Sequence, residues 1–199
     1  MRKIETIYHH LLNSAYADNR FQHTQQELSQ KFSFSLSTVN HALVVPQQLG
    51  AVRKESKYFV LADFKKLIYY WASIRNLGKD IVYTTHIDMP VLDIEASIPP
   101  ESIFAGYSAG RLILKEPPAD YDKVYFYTDI ALDLLKQRFP PQPKNTAANV
   151  LVLKLALPMR LYGPRTTLPQ TFVDIWNLND WYAREFTQEL EGKFHGLLS

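Results

Sequence analysis

"TQQELSQKFSFSLSTVNHAL", residues 24–43, holds two short helical patterns separated by a polar turn, and its spacing decides how the first third of the chain folds. Thr24 is a good N-cap, and Glu27 three residues later completes a capping box. The helix opened there, "QQELSQKF", turns Leu28 and Phe32 inward. Ser35 or Ser37 can cap the second helix, whose inner face is predicted to be Leu36, Val39, Ala42 and Leu43. Pro46 arrives while that apolar pattern is still running. Proline removes one helical N–H, clashes with the carbonyl four residues back and pushes Val45 away from the helical region. The second helix is therefore expected to end or kink near Val44, with "PQQLG" as a short turn.

Upstream, "KIETIYHHLLNSAY" (3–16) places Ile4, Ile7, Tyr8, Leu11 and Leu12 on one helical stripe. Downstream, "LGAVRKESKYFVLAD" (49–63) reads as two short β runs, "AVRK" and "KYFVL", joined by a polar turn at Glu55-Ser56. Helix, helix, helix, then hairpin is the order of a winged helix-turn-helix, and roughly residues 3–62 resemble that superfamily.

With Leu36, Val39 and Leu43 facing the core, Ser37 and His41 lie opposite, flanked by Thr38 and Asn40. Asn can pair bidentately with adenine, and Ser or Thr can serve base edges or phosphates. The helix carries no Lys or Arg of its own, so Arg53, Lys54 and Lys57 on the hairpin are expected to make the phosphate contacts that drive affinity. The charge distribution agrees. Residues 1–79 hold 11 Lys/Arg against 5 Asp/Glu, a net of +6, while residues 80–199 hold 11 against 15, a net of −4. A basic first third suggests a module that binds a polyanion.

Composition excludes several classes. The 199 residues, 46% apolar, can bury a core, and no run approaches the roughly 20 apolar residues of a membrane-spanning helix. "MRKIETIYHHLL" lacks the apolar region and cleavage site of a secretory signal. Cysteine is absent, which excludes disulfides, thiolate metal sites and a cysteine nucleophile, and fits a reducing cytoplasm. A cytoplasmic protein that does not engage membranes is expected.

Residues 63–77 form another amphipathic pattern, with Asp63 as N-cap, Phe64, Leu67, Ile68, Trp71 and Ile74 on its apolar side, and Gly78 as its stop. Its "YYW" aromatics read as packing that joins domains rather than as a base-stacking platform. Beyond residue 80 the elements shorten. "DIVYTTHI" and "PVLDIEAS" are strands or helices, 101–113 is helical in part, and "KVYFYT" is a strand. "DIALDLLKQRF" is a helix capped by Asp129 that buries Ile130, Leu134 and Leu135. A loop, "PQPKNTAAN", then a strand, "VLVLKLAL", and two closing helices complete the chain. The expected organisation is an α+β protein: a winged helix-turn-helix DNA-binding domain over 1–62, a linker helix over 63–79 and a mixed α/β domain over 80–199.

A catalytic reading exists beside this one. Gly106 and Ser108, followed by Asp120 and Asp122, outline a nucleotidyltransferase, in which two acids alternating on a strand hold metal against nucleotide phosphates. Asp93 and Glu95 have a strand's period-two spacing, His86 and Asp88 have no companion ligands, and His9-His10 are adjacent and ill placed to chelate. No cofactor or metal is expected.

The second half carries a further resemblance. "ESIFAGYSAGRLI", "VYFYT", "NVLVLKLALPMRLYG" and "LPQTFVDIWNLNDWYAREFTQEL" follow the order of segments in the AbiEi family, antitoxins and transcriptional regulators of type IV toxin–antitoxin systems. The carrying residues are Gly106, Ala109 and Leu112 in one helix, and Gln170, Asp174, Ile175, Trp176, Asn177 and Leu178 in another. After Leu178 the chain departs from the pattern, with "NDWYAREF" in place of a glycine- and arginine-rich turn. The resemblance implies autoregulation by binding double-stranded DNA at the chain's own promoter. It also implies antagonism of a nucleotidyltransferase-type toxin without a stable complex. The alternatives are the nucleotidyltransferase-like enzyme and a protein-interaction module whose winged helix has lost DNA.

Overall fold

The computed structural model describes residues 1–142 and 146–197 and is α+β, as expected. It divides into two compact units, Met1–Arg75 with the segment from Glu191 onward, and Asn76–Leu190. Residues 143–145 of the expected loop "PQPKNTAAN" lie outside the described residues.

The first unit runs α1 (Lys3–Asp18), β1 (Gln22–His23), α2 (Gln25–Phe32), α3 (Leu36–Gln48), β2 (Val52–Lys54), β3 (Phe59–Leu61) and α4 (Phe64–Ile74). Its sheet is antiparallel in the order β1-β3-β2. Helix α1 is the central post. Ile7, Tyr8, Leu11 and Leu12 are buried as the stripe predicts, but so are Glu5, His9 and His10 on its other sides. Helices α3 and α4 both pack on it, and Trp71 of α4 is fully buried with its ring 6.0 Å from that of His9.

The expected linker over 63–79 is corrected by this packing. Asp63 caps α4 through the Lys66 N–H at 2.8 Å, but Phe64, Leu67, Ile68, Trp71 and Ala72 are all buried, so α4 is core of the first unit. The division falls after Arg75, and Leu77–Asp80 is a separate 3₁₀ turn. The expected domain over 80–199 is also too long at its end. Phe194 packs its ring on Tyr16 and Phe64, at 5.7 and 5.1 Å, and Glu191 accepts a hydrogen bond from the Tyr69 hydroxyl.

Burying α1 on all sides brings polar groups inside. Glu5 meets Arg75 at 3.3 Å with both side chains only 2% exposed, and it also accepts from the backbone N–H and the guanidinium of Arg2, at 2.8 and 3.0 Å. Arg2 in turn donates to the Ile74 carbonyl at 3.0 Å. Desolvating such a pair costs several kcal/mol per ion, repaid only when further hydrogen bonds satisfy the charges, as Arg2 does here. The histidines are treated differently. His10 stacks edge-on against His23 and Phe32, at 5.5 and 5.3 Å, and neutral His23 donates from Nδ1 to Glu27 at 3.1 Å. Burial holds His9 and His10 down to about 3, and burial followed by the Arg20 charge lowers His23.

The second unit contains β4 (Ile81–Thr85), α5 (Val91–Ala96), β5 (Ile103–Ala105), α6 (Gly106–Leu114) and β6 (Val124–Thr128). It continues with α7 (Leu132–Arg138), β7 (Val150–Lys154), α8 (Leu168–Trp176) and α9 (Ala183–Gly192), which leads back into the first unit. The sheet order is β4-β7-β6-β5, with β6 and β7 parallel and the other pairs antiparallel. A parallel pair needs a crossover, which α7 provides. Ile94, Ile98, Leu135 and Phe139 from around α5 and α7 cover one sheet face over Val124, Phe126, Val150 and Val152. On the other face Tyr107 of α6 packs against Tyr125, and the Tyr127 hydroxyl donates to Asp174 of α8 at 2.7 Å.

Three expectations change here. "PVLDIEAS" is helical, so Asp93 and Glu95 do not face one way; Glu95 is buried and accepts from Tyr121 at 2.6 Å and from Arg111. Helix α7 starts at Leu132 after Ala131, and Asp129 pairs with Arg160 at 2.7 Å instead of capping. That later start leaves Leu134 exposed. Among the described residues no helix is long and apolar enough to cross a membrane.

Acid sensitivity follows from the depressed histidines. Below the ordinary value of 6.5, the unfolded chain takes up protons that buried His9 and His10 refuse until about 3. Their contribution to stability is complete above 6.5 and is lost as pH falls from 6.5 toward 3, by about 1.4 kcal/mol per pH unit for each. Urea titrations between pH 4 and 7.5 are expected to show this slope, and His10→Phe should make it shallower by about one histidine's share.

Candidate nucleic-acid interface

Helix α3 and the hairpin β2–β3 carry every residue that the sequence nominates for contact with DNA. The cap of α3 is Ser35, whose Oγ accepts the Thr38 N–H at 3.1 Å and lies 2.9 Å from the Thr38 hydroxyl. Ser37 is thereby released from capping and exposed. Val39, Ala42, Leu43 and Pro46 make the buried line.

The helix does not end or kink out near Val44; it runs to Gln48. Pro46 falls on the same phase as Val39, Ala42 and Leu43, so its ring is taken into the core. The last turn is held from downstream. Gly50 adopts φ 71°, and its N–H reaches the Gln47 carbonyl at 3.0 Å while the Ala51 N–H reaches that of Pro46 at 2.8 Å. This closure is a Schellman arrangement, which satisfies the terminal carbonyls. Proline therefore costs the helix one hydrogen bond and not its final turn. Leu36, expected inside, is 54% exposed because it stands in the first turn and opens onto a cleft beside the hairpin. Glu27 does not complete the expected capping box: Thr24 accepts its N–H at 3.1 Å, but its carboxylate binds Arg20 and His23.

At about 100° per residue, Ser37, His41, Val44 and Gln48 form the line opposite the buried one, with Asn40 on one flank and Thr38 and Val45 on the other. Ser37, Asn40, His41, Val44, Val45 and Gln48 are exposed. Asn40 accepts from the Gln25 side chain at 3.3 Å, which ties it to α2, and Thr38 is half-buried and engaged by Ser35. The face carries no Lys, Arg, Asp or Glu, and ending the helix near Val44 kept Val44, Val45 and Gln48 out of the residues expected to meet DNA. The signal was available in the phase of Pro46.

Cations stand beside it. Lys54 and Lys57 are exposed and line the cleft, of about 340 Å³, together with Leu36 and with Thr24, Gln25 and Gln26 from the start of α2. Arg53 is exposed outside the cleft, with its Nε on Glu55 at 3.0 Å. An exposed ion pair of this kind is worth about 0–1 kcal/mol, little enough for a competing anion to displace. The arrangement can place hydrogen-bond donors and acceptors against a polyanion whose charge the hairpin meets.

The residues of the catalytic outline do not take the arrangement that outline requires. Gly106 opens α6 at φ 52°, and the Tyr125 side chain lies 3.0–3.2 Å from where a Cβ would stand, so this glycine serves packing. The Ser108 hydroxyl is enclosed, with no hydrogen-bond partner among the described residues. Asp120 and Asp122 lie in the coil before β6 rather than on a strand face, and Asp122 accepts from Tyr182 at 2.5 Å. Among the described residues no three His, Cys, Asp or Glu side chains are placed to hold a metal.

Capping and closure predict a graded effect on stability. Ser35→Ala should lower it by about 1 kcal/mol, and Gly50→Ala by a similar amount because a Cβ disfavours its positive φ. Ser37→Ala should leave the denaturant midpoint within about 0.5 kcal/mol of the parent.

Compared with protein-family models, curated proteins and solved structures, the chain finds no match.

Proposed function

We propose that the chain is a DNA-binding transcriptional regulator of the antitoxin type, reading its own promoter through a winged helix-turn-helix in the first unit. The observation that carries this is the pairing of two surfaces: an exposed, hydrogen-bonding face on α3 without Lys, Arg, Asp or Glu, and exposed Lys54 and Lys57 on a hairpin that shares a cleft with its first turn. A neutral reader with separate cations is the division of labour that groove recognition asks for, since base edges specify while phosphates supply affinity. The net charge of +6 over residues 1–79 supports the same polyanion. The antitoxin role rests on the likeness of the second half to the AbiEi family. On that reading the chain works in the cytoplasm, represses its own operon and opposes a nucleotidyltransferase-type toxin encoded beside it.

Gel shifts with the DNA upstream of the chain's own gene, over a salt series, test the proposal. Affinity is expected to fall steeply as salt rises, and Lys54→Ala and Lys57→Ala should each reduce the log–log slope by about 1 if each meets one phosphate. Glu55→Gln, which frees Arg53, should strengthen binding. Binding that is absent at low salt, or indifferent to salt, overturns the DNA reading.

A further inference from the structure

The continuation of α3 past Pro46 adds a second kind of chemistry to its outer face. Ser37 and His41 are followed on the same line by Val44, 39% exposed, with Val45, 36% exposed, and Leu49 on the adjoining flank. Over the axial rise of a helix, Val44 lies about 10 Å beyond Ser37, close to three base-pair steps of about 3.4 Å. The only base substituent in the major groove that prefers an apolar contact is the thymine methyl group. We infer that Val44 is a specificity residue that contacts a thymine methyl, so that the recognised sequence places an A·T pair about three steps from the bases met by Ser37 and His41. This inference rests on the DNA-binding reading proposed above.

Charge and composition favour this occupant over a protein. Helix α3 carries no acidic side chain that would repel a phosphate backbone, and the nearest hairpin is basic. The exposed apolar groups sit beside Ser37, Asn40, His41 and Gln48. The apolar part of this outer face, Val44, Val45 and Leu49, is interrupted by polar side chains rather than continuous. It suits a groove in which single methyl contacts alternate with hydrogen bonds.

The test uses the full chain and uracil as a thymine lacking its methyl. Preferred duplexes are first selected from a random pool, and each thymine is then replaced singly by uracil. For the parent protein, one such replacement, about three steps from the polar contacts, should weaken binding about fourfold, the worth of one methyl-sized group returned to water. Val44→Ala should bind the thymine and uracil duplexes equally, with its melting temperature and the salt slope of its binding unchanged. Salt-dependent binding with no uracil-sensitive position overturns the inference and leaves the DNA reading standing. So does a Val44→Ala protein that keeps the full thymine preference. A pool that yields no bound duplex at low salt overturns both.

Discussion

The carboxylate of Glu5, shut inside the first unit between Arg75 and Arg2, is the constraint on which that unit depends. It exists because α1 is enclosed from every side, so one polar position near its start has no route to water. Two guanidiniums from opposite ends of the unit's main segment converge on it, and Arg2 reaches on to the carbonyl of Ile74. The start of α1 and the end of α4 are therefore fixed together, and α4 cannot leave without stranding a charge. Removing one member of such a buried pair typically costs 3–5 kcal/mol, far more than a surface pair contributes. With α1 and α4 locked, α3 has a fixed bed, and its outer face is held where the hairpin can flank it.

On the proposed reading, that geometry separates affinity from selectivity. The α3 face has no Lys or Arg with which to bind indiscriminately, and the lysines lie on a different element. The buried histidines His9, His10 and His23 are held toward their neutral form by burial, and the buried guanidinium of Arg75 is matched by Glu5. The second unit spends its buried polar groups on internal ties, such as Glu95 with Arg111 and Tyr121, and Tyr127 with Asp174. Of the carboxylates that the sequence offers for chemistry, Glu95 is held in these ties and Asp122 accepts from Tyr182.

Much of this was legible in the residues. Periodicity placed α1, and periodicity together with the caps at Thr24, Ser35 and Asp63 placed α2, α3 and α4. The phase of Val39, Ala42 and Leu43 turned Ser37 and His41 outward. What local rules misjudged was decided by tertiary packing. Proline's penalty is real, yet a buried ring and a closure at Gly50 outweigh it, so the helix kept its last turn. The stripe of α4 announced that it was buried but not against what, and it was assigned to a linker when its partner was α1. Leu36 and Leu134 were placed inside by spacing and came out exposed at the first turns of their helices, where the surrounding elements decide burial. The ties of Asn40 to Gln25 and of Arg53 to Glu55 needed the fold, since nothing in a linear pattern says which neighbour a side chain will choose.

The return of the chain to its starting unit has a consequence for how that unit closes. Phe194 makes ring contacts with Tyr16 and Phe64, so the core between α1 and α4 is completed by a segment that follows the whole second unit in sequence. The second unit is one contiguous stretch, whereas the first is stitched from two stretches that the second separates. Closing the first unit therefore draws together residues more than a hundred positions apart, a contact whose loop-closure entropy a contiguous unit does not bear.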